Sequence, residues 1–167
     1  MMLIHLLGAC CLVAAGTATG WYQAQKLRNR RILIEDILEL LVLFESGICT
    51  TQTALAVLWQ DVFCQKSRFQ LLEIENSPVF SKDILKESLC IRPSAQKLLQ
   101  PEDKILLEKW IDSLGSGTVQ QEQARIQYLQ NMLQQVKQTA WEKERQSGKV
   151  YLSLGVCGGL AIAVLTL

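Results

Sequence analysis

The stretch LRNRRILIEDILELLVLFESGI, Leu27–Ile48, decides the fold. Leu27, Ile34, Leu41 and Ile48 recur every seven residues, and Ile37 and Phe44 fill the positions between them. Apolar residues at spacings of three, four and seven share one face of a 3.6-residue helix, so this stretch predicts a long helix packed by a single stripe. A strand needs alternation at two, and no part of the chain keeps that pattern over any length. Gly47 is the predicted terminator, since glycine closes a helix in the left-handed conformation without a steric penalty.

Upstream of the stripe, no Asp, Glu, Lys or Arg precedes Lys26, and downstream none follows Lys149. Residues 1–22, ending in the aromatic pair Trp21-Tyr22, are long enough as a helix to cross a hydrocarbon core of about 30 Å at 1.5 Å per residue. The aromatic pair belongs at headgroup level. Lys26, Arg28, Arg30 and Arg31 follow it, whereas the other flank offers only His5 and the terminal amine. Positive charge marks the inner side of a membrane, so residues 23–149 are expected in the cytoplasm. Residues 150–167 span about 27 Å if helical, which mild thinning of the bilayer accommodates. They begin beside Tyr151, just after Arg145 and Lys149, so both termini are expected to face out. A cleaved signal peptide would carry its basic residues ahead of the apolar run, and here they come only after it. Leu7-Gly8-Ala9-Cys10 resembles a lipobox but has no basic residue before it.

Between the anchors the periodicity stays helical. Thr50 or Thr51 is placed to cap a helix with Ala54, Leu55, Leu58, Trp59 and Val62 on its apolar face, and a short helix is predicted around Arg68 to Glu75. Ser77-Pro78 predicts the start of another, running to about Leu89, with Arg92-Pro93 as its break. Pro101-Glu102-Asp103 is the strongest start signal: a proline for the first helical position, then carboxylates where the helix dipole favours them. Ile105, Leu106, Trp110, Ile111 and Leu114 form its predicted buried face, and Gly115-Ser116-Gly117 ends it. A last helix from about Thr118 carries Val119, Ile126, Leu129, Leu133, Val136 and Ala140 on one stripe, among nine glutamines between Gln120 and Gln146. The expected architecture is all-α: a helical bundle between N- and C-terminal transmembrane helices.

Composition excludes several functions. The net charge of +1 and the lack of a basic stripe leave no footprint for nucleic acid. Six cysteines form no CxxC pair; Cys10, Cys11 and Cys157 fall in the anchors, and Cys49, Cys64 and Cys90 read as small buried residues in a reducing compartment. The only histidine is His5, so the domain lacks a histidine base or metal ligand. It has no P-loop and no Gly-x-Ser-x-Gly elbow. Carboxylate pairs at Glu102-Asp103, Glu73/Glu75 and Glu142/Glu144 read as solvated helix surface. The chain is therefore expected to be non-enzymatic, without cofactor or small-molecule substrate, and to act through contacts. Gly16-x-x-x-Gly20 and Gly155-x-x-x-Gly159 present small residues for close helix packing in the membrane. Gly47, Gly115 and Gly117 are expected at helix turns. Exposed charge at Glu35, Asp36 and Glu39, or on the last helix, offers a third kind of contact with a partner.

The order of these features resembles the stage III sporulation protein AB family over essentially the whole chain. The resemblance rests on the uncharged N-terminal anchor, the heptad helix reaching Glu45-Ser46-Gly47, Trp-x-x-x-Leu-Gly at Trp110 to Gly115, the glutamine-rich stretch, and above all Tyr151-Leu152-Ser153-Leu154-Gly155-Val156 with Gly159-Leu160. Where that family has Thr-Pro-Leu after the glycine turn, this chain reads Thr51-Gln52-Thr53-Ala54-Leu55. The resemblance implies one component of a secretion-like channel complex in the mother-cell membrane around the forespore, with a cytoplasmic domain similar to the platform subunits of type II secretion and type IV pilus machines. It implies as partners a secretion-type ATPase and the other membrane proteins of the complex. The competing readings are a generic two-anchor helical scaffold unrelated to transport and a secreted helical protein released by signal cleavage.

Overall fold

The computed structural model describes the backbone of residues 2–50, 54–74 and 79–166; the side chains of 2–7, 9–13, 49–50, 93–95, 148–149, 152, 155, 159–160 and 162–166 are outside the description. Every regular element among the described residues is helical. Helix α1 spans Met2–Thr50, α2 Leu55–Cys64, α3 Lys82–Lys86, α4 Pro93–Leu98, α5 Pro101–Ser113 and α6 Val119–Thr166, with a 3₁₀ turn at Lys66–Arg68 and a π turn at Glu87–Ile91. Arg30–Gln138 forms one compact unit, and the flanking stretches, up to Asn29 and from Thr139, form the other.

The core of the Arg30–Gln138 unit is built on the stripe that the heptads predict. Ile34, Ile37, Leu41 and Phe44 are fully buried, joined by Leu33 and Leu40, which the seven-residue repeat alone does not single out. From the other helices come Leu58 and Trp59 of α2, Leu107, Trp110 and Ile111 of α5, and Ile126, Leu129 and Leu133 of α6. Trp110 meets Phe44 edge-on, with centroids 5.7 Å apart and planes at 84°. Lys137 of α6 lies 3.2 Å from Glu35, while Gln127 and Gln130 reach Glu45, both at 2.9 Å. Position rises along α1 as it falls along α6, so the two helices are antiparallel here.

Several local expectations change. The segment after Arg68 is not a helix: residues 69–74 have no regular structure, and the backbone N–H groups of Gln70, Leu71 and Leu72 all donate to one oxygen of Asp36, at 3.0, 2.7 and 2.9 Å. Ser77-Pro78 lies outside the described residues, and the following helix begins at Lys82, where the hydroxyl of extended Ser81 accepts the Asp83 N–H at 3.2 Å. That helix widens into the π turn, whose Arg92 N–H donates to the Glu87 carbonyl at 3.0 Å, before Pro93 restarts a helix at a position that needs no donor. On the predicted stripes, Ile105 and Val119 are exposed rather than buried. Cys90 is buried as expected, whereas Cys64 is exposed.

In the other unit, α1 up to Asn29 and α6 from Thr139 lie side by side. Gly20 and Ala140 are buried, and a shallow groove runs between Trp21, Gln25 and Arg28 on one helix and Trp141, Glu144 and Arg145 on the other. The Arg145 guanidinium stacks over the Trp141 ring, 5.5 Å from its centroid. Among the described residues no helix is long and apolar enough to cross a membrane. Most side chains of 1–13 and many beyond 147, which form the bulk of the two predicted anchors, are outside that description.

Candidate interaction surface

The junction of α5 and α6 is the most elaborately built part of the Arg30–Gln138 unit. Pro101 opens α5, and the second carboxylate of its start signal does two jobs. One oxygen of Asp103 accepts the Gln100 N–H at 3.1 Å and the Arg30 guanidinium at 3.0 Å. Both side chains are largely buried, 13% and 6% exposed, so the charge that caps α5 also ties it to α1. At the far end, Leu114 has ψ 128° and Gly115 has φ 75°, and the Ser116 N–H donates to the Ser113 carbonyl at 3.2 Å. That is a type II turn, whose third residue needs a positive φ and hence glycine. Thr118 and Gln121 then cap α6 reciprocally: the Thr118 N–H donates to the Gln121 side chain at 3.1 Å and the Gln121 N–H to the Thr118 hydroxyl at 3.4 Å. One nitrogen of Arg125 binds the turn to the helix, donating to the Ser113 carbonyl, the Ser116 hydroxyl and the Glu122 carboxylate at 3.1, 3.2 and 3.1 Å.

Beside this junction α5 and α6 enclose an open groove of about 390 Å³. Its walls include Leu106, Leu129 and the ring of Tyr128, which is 61% exposed. Its polar lining includes Lys109, Trp110 and Arg125. The indole N–H of Trp110 is buried without an acceptor, and Lys109 makes no ion pair among the described residues. Only Trp110 of these is singled out by sequence motif. An aromatic at Tyr128, off the Ile126-Leu129-Leu133 stripe and surrounded by glutamines, is the signal that marks the rest.

The acidic residues expected to offer exposed charge on α1 are instead engaged within the unit. Asp36, 4% exposed, holds the 70–72 backbone. Glu35 pairs with Arg31 at 2.9 Å and with Lys137 at 3.2 Å, and Glu39 pairs with Arg68 at 2.8 Å. Each spaces like a surface acid within its own helix; what covers it comes from elsewhere in the chain. Glu45 of the Glu-x-Gly motif is likewise held by two glutamine amides of α6.

Of the glycines expected at turns, Gly115 is in one and Gly117 follows it, whereas α1 runs three residues past Gly47 to Thr50. Gly47 serves another purpose, because a Cβ there would collide with the side chain of Leu58: it lets α2 lie directly on α1. Gly16 is half-buried and Gly20 buried, while the surroundings of Gly155 and Gly159 are outside the described residues.

With this geometry in place, comparison with known families adds an identity at family level. The family model described as stage III sporulation protein AB matches residues 5–167. The chain belongs to the stage III sporulation protein AB family. No curated protein and no solved structure matches it. In this family member the motif residues of the middle domain have structural work: Trp110 packs on Phe44, Gly115 makes the turn, and Glu45 joins α1 to α6. Its role is accordingly in sporulation.

Proposed function

We propose that the chain is a non-enzymatic platform component of a secretion-like complex between mother cell and forespore. Residues 1–22 and 150–167 anchor it in the mother-cell membrane around the forespore, and residues 23–149 face the cytoplasm as a rigid helical adaptor. It works there without cofactor or substrate, by holding a secretion-type ATPase and the other membrane proteins of the complex. The observation that carries this reading is the partition of charge: every Asp, Glu, Lys and Arg lies between Lys26 and Lys149, and both ends are apolar. The basic cluster at Lys26 to Arg31 gives the partition its direction. Membership of the sporulation family supplies the setting.

Two reporters test the topology, one fused after Leu167 and one inserted near Gly117. An external C-terminus with an internal middle is expected; an exported middle overturns the reading. Co-purification from sporulating cells tests the platform role, with retention of a secretion-type ATPase expected and its absence separating a generic scaffold from a transport component.

A further inference from the structure

We infer that the α5–α6 groove is the docking site for a partner segment in which apolar side chains flank a carboxylate. The inference rests on the platform reading for the existence of a partner, and on the groove for the partner's chemistry. The polar groups that face it are dominated by donors. Lys109 has no ion pair among the described residues, and Arg125 makes its hydrogen bonds through one nitrogen, one of them to the Glu122 carboxylate, which leaves its other nitrogens as donors. An unpaired cation beside an apolar groove gains from an incoming carboxylate. The aliphatic walls of Leu106 and Leu129 and the exposed ring of Tyr128 bind apolar surface. Tyrosine and tryptophan with cations at the edge are the residues on which interfaces concentrate their affinity. A basic segment would face the unpaired Lys109, and a purely polar one would leave the apolar walls uncovered. The surrounding turn is held by Arg125 and the reciprocal cap of α6, so the groove is formed before the partner arrives.

The test uses the full chain in lipid nanodiscs, with the companion ATPase and each companion membrane protein added singly. Lys109→Glu should weaken binding of one of them by about tenfold or more, and Tyr128→Ala by a similar factor. Val42→Ala, at an exposed position of α1, should change nothing. A photo-cross-linking amino acid at position 128 should capture a segment with Asp or Glu within one helical turn of two apolar residues, and reversing that carboxylate to Lys should restore binding to the Lys109→Glu chain. Capture of a second copy of this chain, of phospholipid, or of a segment without a carboxylate overturns the inference. So does companion binding that survives both groove variants, an outcome that leaves the platform reading intact. If no companion binds the unaltered chain, the platform reading fails and takes the groove assignment with it.

Discussion

At the scale of single residues, the unit depends on charges that no local pattern distinguishes from surface acids. Asp36 sits between Glu35 and Ile37 in an ordinary helical repeat, yet three backbone donors more than thirty residues downstream converge on one of its oxygens. The donor that binds and the helix that presents the acceptor are distant in the chain, so spacing within either reveals nothing. Asp36→Asn removes the charge and turns an N–H₂ toward donors; urea unfolding should show a loss of about 2 kcal/mol or more. Cys90 is legible as a buried thiol from its type alone. Burial, and after it the Glu108 carboxylate, pushes its thiol up to about 11 from an ordinary 9.0. A raised thiol pKa means the unfolded chain releases its proton first, so the Cys90 contribution is fully present below pH 9.0 and disappears as pH rises toward about 11. The stability difference between the native chain and Cys90→Ala should therefore narrow over that window, while exposed Cys64 is alkylated at pH 8 and Cys90 stays protected.

At the scale of elements, the signals that survived are those with a local mechanism. Pro101 starts α5 because its ring suits the first helical position, and Gly115 ends it because φ 75° excludes a Cβ at low cost. Gly115→Ala should lower stability by about 1 kcal/mol, read as a drop in melting temperature. Gly47 looks the same on paper and does a different thing, since its small size serves Leu58 rather than a turn. Gly47→Ala should cost about 1–3 kcal/mol in the native chain and distinctly less in a Leu58→Ala background; equal costs in the two would show that the helices do not meet there. The π turn at Glu87–Ile91 and the irregular 69–74 segment were illegible because apolar residues at helical spacing occur in both without a regular α-helix.

At the scale of the whole molecule, the helical class and the positions of α1, α5 and α6 were legible, because an apolar stripe of that length has few other solutions. The groove was not, since Lys109, Trp110, Arg125 and Tyr128 come from two helices and acquire a common chemistry only when those helices pack. The basic cluster after Tyr22 carries a further expectation. Replacing Lys26 and Arg28 with Gln, while sparing the Arg30 that Asp103 needs, should produce a mixed orientation in the reporter assay described above. The antiparallel pairing of α1 with α6 also sets a timetable for biosynthesis. The apolar stripe from Leu33 to Phe44 leaves the ribosome long before Trp110 and Leu133 exist to cover it, an interval on the order of 3 to 20 s at ordinary elongation rates. During that interval the stripe is the bare face of a newborn helix without its mate, and a factor that shields nascent protein has a client site there.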